Sequence, residues 1–530
     1  MDAATPARVL VVENDGRISQ YLATILTKRG YEVHVAQGFG DELVESARAL
    51  GKRVRPHVAI VDLRLTDDYT DDRSGLELLP DLKSARCILY SAYLAPDILR
   101  QARRTEQAVD WVDKQNIELL YSAVDEAAQQ TCAGVRGVAV QWPPGWSVEH
   151  LTTTIFKDAD TMPAATILDD VVFQLFSANE RIVPEAVTGA VGGVQSVLRG
   201  RSLVAKIHPD ALQPKVLKLG NAARTQREHE SYLAYVHDQL PGLYHTQIEK
   251  HITFWDLGGT VYSFVGADQQ VLPTFTLHYA QHDDSAAILS PLYHLFTTVW
   301  LPHYERSQPA AFDSLFAAYD AVFNFANKYA RIEEELVADL MAILTRPLPN
   351  PIAWVREWGR HSTIPSARQA VTHGDLHGDN LFVEGGRAWI IDFERTGPGH
   401  ALRDFAELEV DIFARLIDQG VSWPDLQQLA LLLAEPQKPG AIFQTGAMLH
   451  DQHDIQKAIA VIGGIRQMAH TTVRYSDQRE YLWAMLFDAI FVASVQSMNK
   501  TQRLRALLYA GALCKRLQTW GEEWVVENGK

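Results

Sequence analysis

The sequence predicts a doubly wound parallel α/β domain followed by a two-lobed α+β domain whose second lobe is large and helical. Five short apolar runs alternate with five amphipathic stretches over the first quarter of the chain. Strand-like patterns then dominate from 182 to 265, and mostly helical periodicity follows from 270 onward. A chain of 530 residues is too long for one hydrophobic core, so two or three domains are expected.

Apolar runs and the segments between them define the elements of the first domain. The runs predict five buried strands, namely Arg8–Val12, Val33–Ala36, His57–Val61, Cys87–Tyr90 and Val109–Val112. The remaining stretches predict five helices, namely Ile18–Arg29, Asp41–Leu50, Gly75–Lys83, Pro96–Arg104 and Ile117–Gln130. In a parallel sheet built this way, ligands bind beyond the carboxyl ends of the strands.

Changes of pattern place the domain boundaries. We expect the first domain at 1–130, a linker and connecting helix at 131–181, a β lobe at 182–267 and a helical lobe at 268–530. The Trp-Pro-Pro-Gly-Trp run at 142–146 is the strongest chain breaker of the linker. The apolar spacing at 166–181 predicts the connecting helix.

Composition indicates a cytoplasmic protein that binds neither nucleic acid nor membrane. The net charge of −16 argues against an extended nucleic-acid surface, and no basic recognition helix follows the first domain. The first residues lack a signal region, and the longest apolar runs are too short to span a bilayer. Cys87, Cys132 and Cys514 have no paired spacing, which favours a reducing compartment.

One run in the second half carries residues suited to phosphoryl transfer. It reads His-Gly-Asp-Leu-His-Gly-Asp-Asn over 373–380, so Asp375 precedes Asn380 by five residues. Asp392 lies twelve residues beyond Asn380. Transfer from ATP requires neutralised phosphates and an aligned hydroxyl. Asp392 and Asn380 offer oxygen ligands for Mg²⁺, and Asp375 can accept the hydroxyl proton.

A β-hairpin is predicted between the two metal ligands. The apolar stretches Leu381–Val383 and Ala388–Ile391 are joined by Glu-Gly-Gly-Arg at 384–387. Such a hairpin brings Asn380 and Asp392 to the same site.

These residues closely resemble the aminoglycoside phosphotransferase and choline kinase superfamily, which shares the protein-kinase fold. The resemblance covers about Glu185 to Asp411 at the level of motifs. It implies transfer of the γ-phosphoryl group of ATP to a hydroxyl, with Asp375 as the catalytic aspartate. It also implies Asn380 and Asp392 as Mg²⁺ ligands.

The same resemblance assigns two positioning roles. His373 belongs to the catalytic set as the residue that orients the loop. The later Arg-Asp-Phe-Ala at 403–406 is similar to the family's Asp-Leu-Ala segment. In that segment the aspartate, here Asp404, helps to brace the active-site loops.

The β lobe contains candidates for nucleotide binding. The cluster of Gly189, Gly192 and Gly193 is a candidate phosphate-covering hairpin, although ordinary turn chemistry explains it equally well. Lys218 stands where the family's strand lysine contacts the α and β phosphates, with Lys206 as the competitor. The following helix, 224–236, supplies the glutamate that pairs with the lysine, and Glu230 is slightly preferred over Glu228.

Polar residues also follow four of the strands predicted in the first domain. Glu13-Asn14-Asp15 follows the first strand, Asp62 ends the third, Ser91 follows the fourth and Lys114 ends the fifth. Because carboxyl ends of parallel strands share one edge, these side chains are expected to converge.

This arrangement resembles the receiver domain of two-component response regulators over residues 7–130. The resemblance implies Asp62 as phosphoacceptor and, with Glu13 and Asp15, as Mg²⁺ ligand. Ser91 senses the phosphoryl group and Lys114 pairs with it. A sensor histidine kinase or another phosphodonor is then the partner, and the receiver can mediate a homodimer.

Two features depart from the receiver pattern. Asn14 takes the second place of a pair that is commonly two carboxylates, and the loop at 64–73 is long and lacks the usual proline. The four aspartates of that loop oppose a phosphoryl group unless Mg²⁺ is bound. A receiver fold used only for docking is therefore the alternative.

Two functions follow for the whole chain. The first is an Mg·ATP-dependent phosphotransferase controlled by a receiver domain, and retention of Asp375, Asn380 and Asp392 favours it. The alternative is a weak or inactive kinase-like protein that binds a nucleotide or a partner. The acceptor stays open among aminoglycosides, choline-like amines, amino sugars, homoserine-like alcohols and protein hydroxyls.

Overall fold

The chain divides into two compact units. In a computed structural model, the structure describes residues 5–66, 72–93, 108–142, 152, 155, 166–176, 181–182, 184–186, 198–199, 202–207, 215–240, 245–263, 272–435 and 452–527. The first unit comprises residues 1–188, 194–229 and 248–264. The second comprises residues 189–193, 230–247 and 265–530.

A five-stranded parallel sheet forms the first domain. Its strands are β1 (Arg8–Val12), β2 (Glu32–Val35), β3 (Val58–Val61), β4 (Arg86–Ser91) and β5 (Ala108–Asp113). Their order is β2-β1-β3-β4-β5, and every neighbouring pair is parallel. This is the order of the flavodoxin-like doubly wound fold. The predicted fold class of this domain is confirmed.

Helices pack on both faces of this sheet, and a separate buried apolar cluster lies against each face. The helices are α1 (Gly16–Lys28), α2 (Asp41–Val54), α3 (Ser74–Leu78) and α4 (Ile117–Thr131), with a 3₁₀ turn at Leu79–Leu82 and a short α5 at Ala133–Arg136. The predicted helix at Pro96–Arg104 lies outside the described residues.

An antiparallel sheet forms the β lobe. It contains β8 (Pro184–Ala186), β9 (Leu198–Arg199), β10 (Ser202–Ile207), β11 (Lys215–Asn221), β12 (Ile248–Phe254) and β13 (Leu257–Ser263). The path is β12-β13-β11-β10-β8, with β9 paired to β10. Helix α7 (Ala222–Tyr235) follows β11, as the sequence predicts. A separate parallel pair joins β6 (Ala139–Val140) to β7 (Arg181–Ile182).

The connecting helix is shorter than predicted. Helix α6 spans Thr166–Leu175, and Arg181 lies in strand β7 instead of a helix. The apolar spacing stops at Phe176, and the polar residues Ser177, Asn179 and Glu180 follow. The buried face of α6 belongs to the core of the antiparallel sheet.

The same helix is bonded to the receiver sheet. His57, immediately before β3, places Nε2 2.8 Å from Oδ2 of Asp170, and the backbone N–H of Arg8 donates to Nδ1 at 2.9 Å. The indole N–H of Trp255 donates to the carbonyl of Pro56 at 3.0 Å. Arg55 pairs with Asp256 at 2.6 Å. Receiver and β lobe therefore share one unit.

The second unit is mostly helical. Its helices are α8 (Phe275–Gln281), α9 (Ser285–His294), α10 (Leu301–Glu305), α11 (Leu315–Phe323), α12 (Ala326–Ile332), α13 (Ala338–Ile343), α14 (Pro351–Trp358), α15 (Arg403–Asp411), α16 (Trp423–Ala434), α17 (His453–Val473), α18 (Gln478–Ala493) and α19 (Lys500–Glu527). π-Helical turns lie at Leu295–Val299, Glu333–Val337 and Ile412–Leu416, and a 3₁₀ turn at Gly359–His361.

Two small sheets complete this unit. One contains β14 (Gln308–Pro309), β15 (Arg368–Thr372) and β18 (Gly397–His400), and the other is the hairpin of β16 (Leu381–Glu384) and β17 (Arg387–Ile390). A β-rich lobe followed by a helical lobe agrees with the predicted fold class. Across the described ranges, no helix has the length and apolarity needed to span a membrane.

Candidate functional site

The predicted hairpin is present and sets the position of Asn380. Leu381 pairs with Ile390 in antiparallel register, and the Ile391 N–H donates to the carbonyl of Asn380 at 3.1 Å. Asp392 follows directly with φ of 67°, a left-handed conformation that is rare for a residue other than glycine. The hairpin therefore brings Asn380 and the segment that contains Asp392 together.

The side-chain amide nitrogen of Asn380 is hydrogen-bonded inside the loop. Its Nδ2 donates to the backbone carbonyl of Asp375 at 2.9 Å, and the residue is 4% exposed. This bond fixes the orientation of the side chain, so that Oδ1 is the atom suited to a hard cation. The donor set of Asn380 and Asp392 fits Mg²⁺.

The carboxylate of Asp375 is accessible and ion-paired. Its Oδ1 lies 2.9 Å from Nη1 of Arg395, and the two side chains are 31% and 34% exposed. An aspartate that is about one-third exposed can be reached by a hydroxyl from solvent.

Helix α15 holds the loop at 373–380 by four of the loop's backbone amides. Asp404 of α15 accepts the N–H groups of residues 373 and 374, each at 2.9 Å. Glu407 accepts the N–H of residue 376 at 2.6 Å, and Asp411 accepts that of residue 378 at 2.8 Å. Carboxylates at i, i+3 and i+7 lie on one helical face. Bonds of amides to charged acceptors fix the loop firmly.

Sequence reasoning found Asp404 but missed Glu407 and Asp411. Their three- and four-residue spacing after the Asp404 segment was the available signal. Sequence reasoning also missed Arg415. Its Nη1 lies 2.7 Å from Asp379, and its guanidinium also pairs with Asp411. Arg415 thereby ties the last turn of the loop to the same helical face.

The pKa of Glu407 is raised well above its ordinary value. Burial, and then the neighbouring carboxylates Asp404 and Asp375, raise the pKa of Glu407 to about 7, more than the attraction of Arg403 lowers it. Arg403 donates from Nε to Glu407 at 2.8 Å. The loop therefore rests on a carboxyl group that titrates near neutral pH.

His373 is buried between the loop at 373–380 and the segment that precedes Asp392. It is 1% exposed, and its Nε2 lies 3.0 Å from the carbonyl of Ile391. This contact links the catalytic loop to the segment that precedes Asp392. The arrangement is the one that the sequence resemblance implies for an orienting histidine.

In the β lobe, Lys218 pairs with Glu228. Its Nζ lies 2.8 Å from Oε2 of Glu228, and the Tyr262 hydroxyl donates to the same carboxylate. The slight preference for Glu230 as the partner is therefore corrected. Glu228 faces the sheet and is 1% exposed, whereas Glu230 is exposed, because two positions along a helix point in different directions.

The other nucleotide-site candidates are less defined. Lys206 lies in β10 opposite Val216, one strand away from the paired lysine. The cluster of Gly189, Gly192 and Gly193 falls outside the described residues, so its predicted role stays a prediction.

The predicted receiver residues do converge at the carboxyl edge of the parallel sheet. Lys114 Nζ lies 2.7 Å from Asp62 and 2.8 Å from Glu13. Burial alone would lower the pKa of Lys114, but the hydrogen bonds to Asp62 and Glu13 outweigh burial and raise it. Burial, followed by repulsion from Asp62, raises the pKa of Glu13 to about 7.

A cavity of about 320 Å³ opens beside these groups, and it is lined by Asn14, Asp15, Asp62, Ser91 and Lys114 among others. Oδ1 of Asp15 accepts the amides of residues 17 and 18 and so caps α1. The Ser91 hydroxyl is buried and, among the described residues, has no hydrogen-bond partner. An unsatisfied hydroxyl and clustered carboxylates fit a phosphoryl group and Mg²⁺.

Gly75 supports the backbone of Asp62. Its N–H donates to the carbonyl of Leu63 at 3.0 Å, and a Cβ built on it would lie 2.0 Å from the carbonyl oxygen of Asp62. Only glycine allows this approach. Of the long loop, residues 67–71 lie outside the described part, and Asp72 accepts the amides of Thr66 and Ser74 at 2.9 Å.

Comparison with known proteins returns relatives of both predicted kinds. The transcriptional regulatory protein PdtaR from two strains of Mycobacterium tuberculosis is 28% identical over 132 residues, which is 24% of this chain. The chain spans 60% of the length of these relatives. A receiver domain from Methanospirillum hungatei has 21% identity and a TM-score of 0.20, covering 24% of this chain and 99% of that one.

Other matches cover larger or later parts of the chain. The aminoglycoside phosphotransferase APH(4)-Ia is 10% identical with a TM-score of 0.38, covering 67% of this chain and 99% of that one. A thermostable mutant of that enzyme, solved with ADP and hygromycin B, is 10% identical with a TM-score of 0.38. The match covers 65% of this chain and 97% of that one. The profile of the family described as ternary complex associated domain 9 matches residues 324–498.

Proposed function

We propose that this chain is a signal-regulated, Mg·ATP-dependent phosphotransferase that moves the γ-phosphoryl group of ATP to a hydroxyl. The observation that carries the proposal is the loop around Asp375. Its amides are bonded to the three carboxylates of α15, while the side chain of Asp375 is left accessible. Preorganisation of this kind is what positioning catalysis requires.

The reaction needs little covalent chemistry from the protein. The acceptor oxygen attacks the γ-phosphorus, the bond from that phosphorus to the β-phosphate oxygen breaks, and ADP leaves. Asp375 aligns the hydroxyl and takes its proton. Before this, the Asp375 carboxylate has to exchange its contact with Arg395 for the hydroxyl.

Asn380 and Asp392 would hold Mg²⁺, which neutralises phosphate charge when bound. The Nδ2 bond of Asn380 keeps its oxygen in a fixed direction. Lys218, kept in place by Glu228, is the residue assigned to the α and β phosphates by the family resemblance. Glu228 and Tyr262 fix the ammonium before nucleotide binds.

The receiver domain supplies the proposed control. An Asp62 oxygen attacks the phosphorus of a phosphodonor, such as the phosphohistidine of a sensor kinase. The P–N bond of that phosphohistidine breaks, the histidine ring leaves, and an acyl phosphate forms on Asp62. Glu13, Asp15 and Asp62 would hold Mg²⁺. Ser91 donates its unsatisfied hydroxyl to the phosphoryl group, and Lys114 moves from the carboxylates to the new anion. Exchange of these contacts biases a two-state surface. A homodimer through the receiver is part of this proposal.

The proposal is tested by ADP formation from Mg·ATP in the full chain with a panel of alcohols. Wild type should form ADP in an acceptor-dependent way, and acetyl phosphate should change the rate in wild type but not in Asp62→Asn. Asp392→Asn should lose Mg²⁺-dependent nucleotide binding, measured by calorimetry. Asp313→Asn, an exposed change of the same chemistry, is the control. Acceptor-dependent turnover that survives in Asp392→Asn would contradict the proposal.

A further inference from the structure

Cationic side chains gather beside Asp375 on a pair of stacked aromatic rings. The rings of Phe323 and Phe491 are stacked with centroids 4.1 Å apart. Lys328 Nζ lies 4.5 Å from the Phe491 centroid, and the guanidinium carbon of Arg395 lies 4.9 Å from it. Arg395 also contacts Asp375 at 2.9 Å. Two cations therefore share one ring next to the catalytic loop.

Lys328 has no carboxylate within ion-pair distance in the part of the chain that the structure describes. Asp320, the carboxylate whose attraction acts to raise the pKa of Lys328, accepts the amide of Phe325 at 2.7 Å. Burial, and then repulsion from Arg395 and Arg331, lower the pKa of Lys328 to about 8, so it is still mainly cationic at neutral pH. A half-buried ammonium is costly unless an anion reaches it.

The other charges nearby are matched or neutral. Arg403 lies 5.0 Å from the Phe323 ring, but its guanidinium is paired with Glu407 at 2.8 Å. Asp488 is fully buried, and burial raises its pKa well above the ordinary value, so it adds no negative charge. The carboxylate of Asp375 pairs with Arg395, so the charge of Lys328 is left without an ion pair among the described residues.

We propose that Lys328 and Arg395 bind an anionic group of the acceptor, a carboxylate or a phosphate, so that the acceptor is an anionic alcohol. This inference rests on the proposed function, since it names the substrate class of the same site. The anionic group would take Arg395 from Asp375 and leave that carboxylate to receive the hydroxyl. The flat guanidinium fork suits either anion.

The same charges disfavour cationic acceptors. An amine placed near Asp375 would lie beside Arg395 and Lys328, and like charges in a half-buried site repel strongly. Choline-like amines and amino sugars therefore become the less suitable classes among those that the sequence leaves open.

A matched set of three-carbon alcohols tests this assignment in the full chain. The set is glycerate, glycerol 3-phosphate, glycerol and 3-amino-1,2-propanediol, used with Mg·ATP. We expect kcat/KM for at least one anionic member to exceed that for glycerol by about tenfold or more, because charge-assisted bonds contribute that much. The two anionic members separate carboxylate from phosphate recognition.

Substitutions of Lys328 test whether the preference for anionic acceptors arises at this site. Lys328→Met should lower the ratio of kcat/KM for the anionic member over glycerol by about tenfold, mainly through KM, and Lys328→Glu should invert the ratio of anion over amine. Lys500→Met is the control, since Lys500 is exposed and paired with Asp339. Unchanged thermal unfolding verifies that each variant is folded.

The results of these experiments distinguish failure of the anionic-acceptor proposal from failure of the phosphotransferase proposal. Transfer that favours glycerol or the amine, with ratios insensitive to Lys328, overturns the anionic acceptor and supports the phosphotransferase. If none of the four alcohols is phosphorylated, calorimetry with glycerate and glycerol 3-phosphate decides. Binding that Lys328→Met abolishes supports the anion site and counts against the phosphotransferase, whereas absence of binding overturns the anion site.

Discussion

At the scale of single residues, the catalytic loop depends on buried carboxylates that lie outside its own sequence. Glu407 is the most perturbed of them, since it is both enclosed and close to two other acids. The protonation of this one residue sets how firmly the amide of residue 376 is held. It also sets how stable the folded second unit is at a given pH.

The stability contributed by Glu407 should fall as the pH rises. The folded protein keeps the proton up to about pH 7, whereas the unfolded chain releases it near its ordinary pKa of 4.5. The contribution is therefore fully present below about pH 4.5 and is lost by about pH 7. Between these values we expect the unfolding free energy of Glu407→Gln to gain about 2–3 kcal/mol relative to wild type. Chemical denaturation at several pH values measures this difference, with exposed Glu357→Gln as the control. A difference that does not vary with pH would refute it.

The pairing of Lys218 predicts different costs for two neighbouring glutamates. Glu228→Gln removes the buried carboxylate that lies 2.8 Å from the Lys218 ammonium, and we expect a loss of about 3–5 kcal/mol in unfolding free energy. Glu230→Gln, in the same helix but exposed, should change it by less than about 0.5 kcal/mol. Nucleotide affinity should follow the same order. Equal effects of the two substitutions would mean that the ion pair is not formed in solution.

At the scale of elements, the local patterns of the sequence were sufficient for much of the architecture. Strands of the parallel sheet and the hairpin after Asn380 were predicted because their apolar spacing and turn residues are local signals. The choice between Glu228 and Glu230 could not be predicted from local patterns, because it depends on the rotation of α7 about its axis relative to the sheet. The contact of His57 with Asp170 joins residues 113 positions apart, which no local pattern encodes.

Gly75 provides a test of how α3 supports Asp62, the proposed phosphoacceptor. Gly75→Ala places a methyl group against the backbone of Asp62, and relief of that clash must shift the chain. We expect a loss of about 1–3 kcal/mol in stability and weaker labelling by acetyl phosphate. The matched change is Gly16→Ala, because a Cβ there meets nothing within 4 Å. Labelling that persists in Asp62→Asn would show that another residue is the acceptor.

At the scale of the molecule, the first unit joins the parallel-sheet domain to the β lobe through buried polar contacts. Asp170 accepts from His57, lies 3.8 Å from Arg8 and accepts the amide of Ala133 at 3.0 Å. Both ring nitrogens of His57 are engaged by protein groups. The cluster of His57, Cys132 and Asp170 therefore serves as a structural connection.

Loss of Asp170 should loosen both sheets of the first unit together. Asp170→Ala removes the acceptor of His57 and the carboxylate that lies 3.8 Å from Arg8, and such a loss typically costs about 3–5 kcal/mol. Hydrogen exchange in the full chain should accelerate in β3 and also in β11 and β13. Asp125→Ala, which removes a surface pair with Arg29, is the control and should act locally. Acceleration confined to the receiver would contradict a shared cooperative unit.

The central claim is that the loop at 373–380 transfers phosphoryl groups. Transfer of the labelled γ-phosphate of ATP to an alcohol, compared between wild type and Asp375→Asn at equal nucleotide occupancy, tests it most directly. We expect Asp375→Asn to bind Mg·ATP normally and to transfer at least about a hundredfold more slowly, because a positioned base contributes that much. Equal transfer by the two proteins would contradict the claim, and so would nucleotide binding without any transfer by wild type.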